Sequence, residues 1–152
     1  MMLTSTQIGE LAAQFFIAGV GTLCFAVLFA CPRKSLFFCG LVGAVGWFVY
    51  ELAVMLGADS AAASLLAVVP LTLLTRVFAI TLKLPVTVFL LSGIFPLVPG
   101  AGIYYTAYYF MQGYNSISSL KGIETLKIAV ALAIGIALAL GVPLPRSGGA
   151  PK

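Results

Sequence analysis

Histidine is missing from all 152 residues, and charged side chains make up only 8% of them. The first absence removes the Ser/His nucleophile pair and the HExxH zinc site. A Gly-rich loop ending in Gly-Lys-Ser/Thr, which would cradle a nucleotide, is also missing. Neither an ATP-driven pump nor an intramembrane protease is expected of this chain alone. It reads as no enzyme, and nothing in it calls for a cofactor or a metal. The scarcity of charge excludes more. A soluble domain is typically about 25% charged and ~45–50% apolar, whereas 62% of this chain is hydrophobic. It lacks the polar residues to cover a surface in water. Disorder needs the opposite composition, low hydrophobicity and high net charge. What remains is a small all-α integral membrane protein, read as a single transmembrane domain over residues 1–152.

The charges are few enough to place singly. The acids are Glu10, Glu51, Asp59 and Glu124; the bases are Arg33, Lys34, Arg76, Lys83, Lys121, Lys127, Arg146 and Lys152. The net charge of +4 does not indicate nucleic acid, because binding it needs bases clustered on a wet face. Here they stand singly or in pairs between apolar runs, as loop charges of a membrane protein do. Met1 to Glu10 holds no Lys or Arg. A secretory signal has a positive start, so the first apolar run is expected to stay in the mature protein. Cys24, Cys31 and Cys39 show no CxxC spacing and read as small buried hydrophobes.

A spanning helix needs ~20 mostly apolar residues. Five such spans are predicted, over about 7–30, 35–57, 61–82, 86–113 and 124–142. Pro32-Arg33-Lys34 and Lys83-Leu84-Pro85 form basic turns, and Tyr114 to Lys121 reads as a polar loop. With the N-terminus outside, six bases fall on the cytoplasmic side and two outside. The positive-inside bias selects this orientation, in the plasma membrane with a cytoplasmic C-terminus, over its mirror. A re-entrant hairpin over residues 86–113 gives an equal split, so charge does not separate it from a crossing. Length favours the crossing. Val86 to Phe95 spans about 15 Å of helix, half of a ~30 Å core, and Ala101 to Gly113 supplies the rest. Gly40, Gly43 and Gly46, and Ala131, Gly135 and Ala139, form small-residue stripes. Such stripes allow close helix contact, within this chain or with a partner.

The fourth span carries the most information. Pro96 and Pro99 lack N–H groups and free the carbonyls of Ser92 and Phe95. Each also pushes its predecessor out of the helical region. Gly100 takes positive φ at little cost. The chain is therefore predicted to unwind from about Phe95 to Gly100 and resume a helix near Ala101. Unpaired backbone groups are costly in hydrocarbon unless protein, water or a ligand satisfies them. The freed carbonyls suit an ammonium or metal cation. The N–H groups of Ala101, Gly102 and Ile103 suit a carboxylate, aided by the helix dipole. Broken helices at the midplane are a recurring way for transporters to bind substrate; a kink filled by neighbouring helices is the plainer alternative. Arg76 is placed near the depth of the break, where it either offsets a carboxylate or snorkels to the inner surface. Glu51 lies on the outer side of the midplane, where it either bonds a neighbouring helix or carries a proton. Tyr108, Tyr109 and Tyr114 fit an interfacial belt, whereas Tyr104 and Tyr105 lie closer to the break.

Lys83-Leu84-Pro85-Val86-Thr87-Val88-Phe89, followed by Pro96-Leu97-Val98-Pro99-Gly100-Ala101-Gly102-Ile103-Tyr104-Tyr105, resembles the threonine/serine exporter family. The match is to the small subunit that corresponds to the C-terminal half of longer members. The layout agrees from about Gln7 to Pro145. The resemblance implies a secondary exporter of threonine and serine or of dicarboxylates, with a larger partner subunit of the same family. It transfers no substrate-site residues, and Arg76 is not part of the family pattern. An odd span count fits two inverted halves independently. The competing readings are a structural or assembly subunit and a homo-oligomeric channel, although no span shows the polar rings of a pore.

Overall fold

The computed structural model of the chain describes residues 5–143. Six α-helices follow one another: α1 (Ser5–Leu28), α2 (Leu36–Met55), α3 (Ser60–Leu82), α4 (Val86–Gly93), α5 (Gly100–Met111) and α6 (Asn115–Gly141). Two short 3-10 turns, Arg33–Ser35 and Phe95–Leu97, join them. Helices α1, α2, α3 and α6 are each long and apolar enough to cross a membrane, and α4 with α5 forms a fifth, broken path bent by 52°. The protein is a helical membrane protein, and its chain is broken between α4 and α5 as expected.

The ends of the helices follow from local chemistry. Asp59 caps α3, its carboxylate accepting from the Ala61 N–H at 3.4 Å, as an N-cap residue does. Gly57 at φ 91° and Gly113 at φ 78° make the tight turns before α3 and α6, a conformation cheap only for glycine. Lys83 takes the left-handed conformation at the end of α3, and Pro85 precedes α4 because its missing N–H costs nothing there. Pro70 lies inside α3 and removes one helical hydrogen bond.

The stripes are spent within the chain. Gly40 faces the Gly19 carbonyl, Gly43 receives Thr22, and Gly46 receives Leu71. Gly135 of α6 sits against Val68 and Leu65 of α3. The absence of side chains lets the backbones approach, which supplies the attraction that lipid does not. A core of Val42, Ala67, Val68, Leu71, Leu97 and Leu132 ties α2, α3 and α6 to the break. A second cluster, Ala26, Cys39, Ala79 and Phe89, lies by both basic turns and fixes one end of the bundle, called the basic end below. Cys31 and Cys39 both direct their sulfurs at the Val88 carbonyl, at 3.8 and 3.7 Å. Burial and then Cys39 push the Cys31 thiol up. Cys24 is exposed, against the expectation of burial, because its side of α1 faces away from the bundle.

Two boundaries differ from the sequence reading. Residues 115–123, expected as loop and lead-in, are the first turns of α6. Their serines do not break the helix, and Ser118 turns its hydroxyl onto the Thr106 carbonyl of α5 at 2.8 Å. The break is also less unwound than expected. Phe95–Leu97 closes a 3-10 turn, the Val98 N–H reaching the Phe95 carbonyl at 3.3 Å, and α5 begins at Gly100 without positive φ there. The chain passes from the basic end through α4 and α5, and α6 returns, its Val142 beside Val86 of α4. Helices α4 and α5 thus carry the chain from one end of the bundle to the other.

Candidate functional site

A cleft of about 450 Å³ opens at the break. One wall is the chain from Pro96 to Gly102 together with Tyr105. The facing walls are Trp47 and Tyr50 of α2, Ser60 and Ser64 of α3, and Lys121, Glu124, Thr125 and Ile128 of α6. The local sequence explains the first wall. Pro96 and Pro99 stop α4 from continuing, and Val98 is extended. α5 starts with Pro99 at its N-cap and no side-chain cap. The Gly100 N–H turns back to the Val98 carbonyl at 2.7 Å, and the Ile103 N–H takes the Pro99 carbonyl at 3.1 Å. The N–H groups of Ala101 and Gly102 have no backbone partner among the described residues. They are the positive end of a twelve-residue helix. Helix α5 is held there by α6: Gly102 accommodates Thr125, and Gly122 accommodates Thr106.

The far wall is polar where α6 passes it. Lys121 Nζ donates to Glu124 Oε2 at 3.0 Å, and both side chains are about half exposed. Thr125 donates to the Lys121 carbonyl at 2.7 Å, and Ser64 donates to the Ser60 carbonyl at 2.7 Å. On the α1 side of Pro96 a smaller cleft is lined by Gln14, Thr22, Phe25 and Trp47. There the Trp47 indole N–H donates to the Gln14 side-chain oxygen at 3.0 Å.

The residues singled out from the sequence divide into two groups. Pro96, Pro99, Gly100, Ala101, Gly102 and Tyr105 line the cleft. Ser92, Phe95, Ile103, Tyr104 and Arg76 do not. Ser92 is buried and bonds the Val88 carbonyl of its own helix at 2.9 Å. Phe95 turns to α1 and stacks on Phe25, ring centres 3.9 Å apart. Ile103 and Tyr104 are exposed on α5, and the Ile103 N–H is already bonded.

Arg76 lies apart from the break cleft. Its guanidinium donates to the Ala139 carbonyl at 2.7 Å and to the Val142 carbonyl, so it caps the C-terminus of α6. It lines a separate cleft with Ile80, Val86 and Pro143. Ser64 touches the break cleft, and Arg76 lies twelve residues, about 18 Å of helix, further along α3. The equal-depth estimate set seven residues of α3, about 10 Å of helix, against eleven of the fourth span, about 16 Å, and so placed Arg76 and the break too close together. The break therefore sits nearer the α3 N-terminus than residue counting implied. Glu51, half-buried on α2, does not line the cleft and has no hydrogen-bond partner among the described residues. Trp47, Tyr50, Ser60, Ser64, Glu124 and Thr125 went unrecognised from sequence. Lys121 to Thr125 carried the one usable signal, since a Lys, a Glu and a Thr at helical spacing share a face.

A helix broken inside an apolar bundle, with a metabolite-sized cleft at the break, is a device of membrane transporters. Residues 14–142 match the family model described as "Threonine/Serine exporter, ThrE", and the chain belongs to the threonine/serine exporter family. No curated protein and no solved structure matches the chain. The protein is accordingly a multi-pass membrane protein of an exporter family.

Proposed function

We propose that this chain is one half of a secondary transporter that exports small carboxylate-bearing metabolites, amino acids of the threonine/serine kind or dicarboxylates. The observation that carries the reading is the uncapped start of α5, whose free Ala101 and Gly102 N–H groups stand at the cleft. A carboxylate satisfies both donors and gains from the helix dipole. The other half is a larger membrane subunit of the same family, meeting this chain within the bilayer. An odd number of passes supports that pairing, as two such units stand inverted to each other. The small-residue stripe of α6 does not, because α3 occupies it. The basic end faces the cytoplasm, in keeping with Arg33, Lys34 and Lys83 gathered there. Glu51, a carboxylate within a span and without a partner among the described residues, is assigned to proton coupling.

Gly100→Val tests the site. A Cβ at Gly100 meets nothing within 4 Å, so the fold tolerates the change, while the branched side chain fills the cleft mouth. Transport in native-host vesicles should fall while membrane abundance stays at the wild-type level. Normal transport at that abundance means the break is only a packed kink.

A further inference from the structure

Lys121 and Glu124 make the one ion pair among the described residues, and both line the break cleft. At 46% and 51% exposure, such a pair adds little to stability and opens cheaply. The rest of α6 explains why it stands out: from Ile128 to Gly141 there is no charge at all. Lys127, the neighbouring base, lines a different and apolar groove with Ala61, Leu65 and Val130. Across the cleft from the pair are the free N–H groups of Ala101 and Gly102. The Tyr50 and Tyr105 side chains line it too, and their hydroxyls carry no hydrogen bond among the described residues.

We propose that Lys121 and Glu124 are the specificity-determining residues of this cleft, selecting a zwitterion with adjacent carboxylate and ammonium groups over a dicarboxylate. The inference rests on the reading of the cleft as the solute site. The zwitterion enters between the two side chains. Its carboxylate takes the place of Glu124 on Lys121 Nζ and meets the positive end of α5. Its ammonium takes the place of Lys121 on Glu124. Each side chain exchanges one partner for another of the same sign, so opening the pair is offset. A dicarboxylate instead leaves Glu124 unpaired and brings a second negative charge beside it. A simple amine leaves Lys121 unpaired and faces the wrong end of the α5 dipole.

The test is uptake of labelled L-serine into membrane vesicles from the native host, with variants replacing the wild-type chain. Unlabelled L-threonine, succinate and ethanolamine serve as competitors, and membrane abundance is measured alongside. The wild type should be inhibited by threonine and hardly by the other two. Glu124→Gln should weaken serine by at least about tenfold, the worth of a charged hydrogen bond, while succinate becomes the better competitor. Lys121→Gln should weaken serine and succinate alike, and Glu124→Asp should keep part of the preference for serine. Serine affinity unchanged in both neutral variants, or an unchanged serine-to-succinate ratio in Glu124→Gln, overturns the proposal. A wild type that carries succinate and rejects serine overturns it while sparing the cleft as a solute site. A wild type that carries none of these solutes removes the cleft reading itself, and the proposal with it.

Discussion

Arg76 and Glu51 are both ionisable residues inside apolar helices, and they meet different fates. Arg76 satisfies the last carbonyls of α6, where a cation also favours the negative end of the helix dipole. Its charge is absorbed by architecture. Glu51 has no such partner among the described residues. That contrast was not legible in the sequence, where each was only a charge within a span. The partner of Arg76 lies 63 and 66 residues away, and no periodicity announces it. The packing of Phe95 on Phe25 is likewise a long-range contact that no periodicity announces. The prediction at this scale concerns Glu51. A glutamine keeps the shape and cannot release a proton, so Glu51→Gln should flatten the dependence of transport on the pH gradient. Solute affinity at fixed pH should stay near the wild-type value. A retained pH-gradient response in that variant removes Glu51 from the coupling step.

At the scale of elements, the sequence was most readable where its breakers are strongest. Pro96 and Pro99 end α4 and open the break, as their missing N–H groups require. The pieces on either side were harder to bound. Serines 116, 118 and 119 suggest a loop by composition, yet α6 runs through them because Gly113 completes the turn first and α5 offers Ser118 a carbonyl. Helix α5 packs on α6 and buries none of its own side chains. The Thr125–Gly102, Thr106–Gly122 and Ser118–Thr106 contacts are thus what hold the cleft wall in place. The small-residue stripes were legible as contacts, though not as contacts within the chain. Gly135→Leu should drive a side chain into Val68 and Leu65. Overpacking of that kind costs about 1–3 kcal/mol, read as a lowered thermal midpoint in detergent. An unchanged midpoint would mean that α3 and α6 separate more easily than their packing implies.

Taken as a whole, the molecule sorts its charges by end. Arg33, Lys34 and Lys83 share the basic end, and Lys121, Glu124 and Asp59 lie toward the other. The fold class followed from composition, because 62% hydrophobic residues leave no soluble alternative. The break between α4 and α5 followed from Pro96 and Pro99. The walls of the cleft did not, since α2, α3 and α6 contribute residues that only the three-dimensional packing brings to the break. Labelling with an impermeant maleimide, in a background free of native cysteine, tests the proposed orientation. Gln112→Cys should react from outside the cell and Lys34→Cys only after permeabilisation. Reaction of both from one side would contradict five passes.

The central claim is that solute occupies the cleft at the broken helix. Ala101 is exposed on the cleft wall, and Leu120 is exposed on α6 away from it. Each can be replaced singly by cysteine in the cysteine-free background and labelled in native-host vesicles with and without L-threonine, L-serine or succinate. The account predicts that the transported solute slows labelling of Ala101→Cys and leaves Leu120→Cys unchanged. Equal labelling of Ala101→Cys with and without a solute that the vesicles demonstrably transport would contradict it.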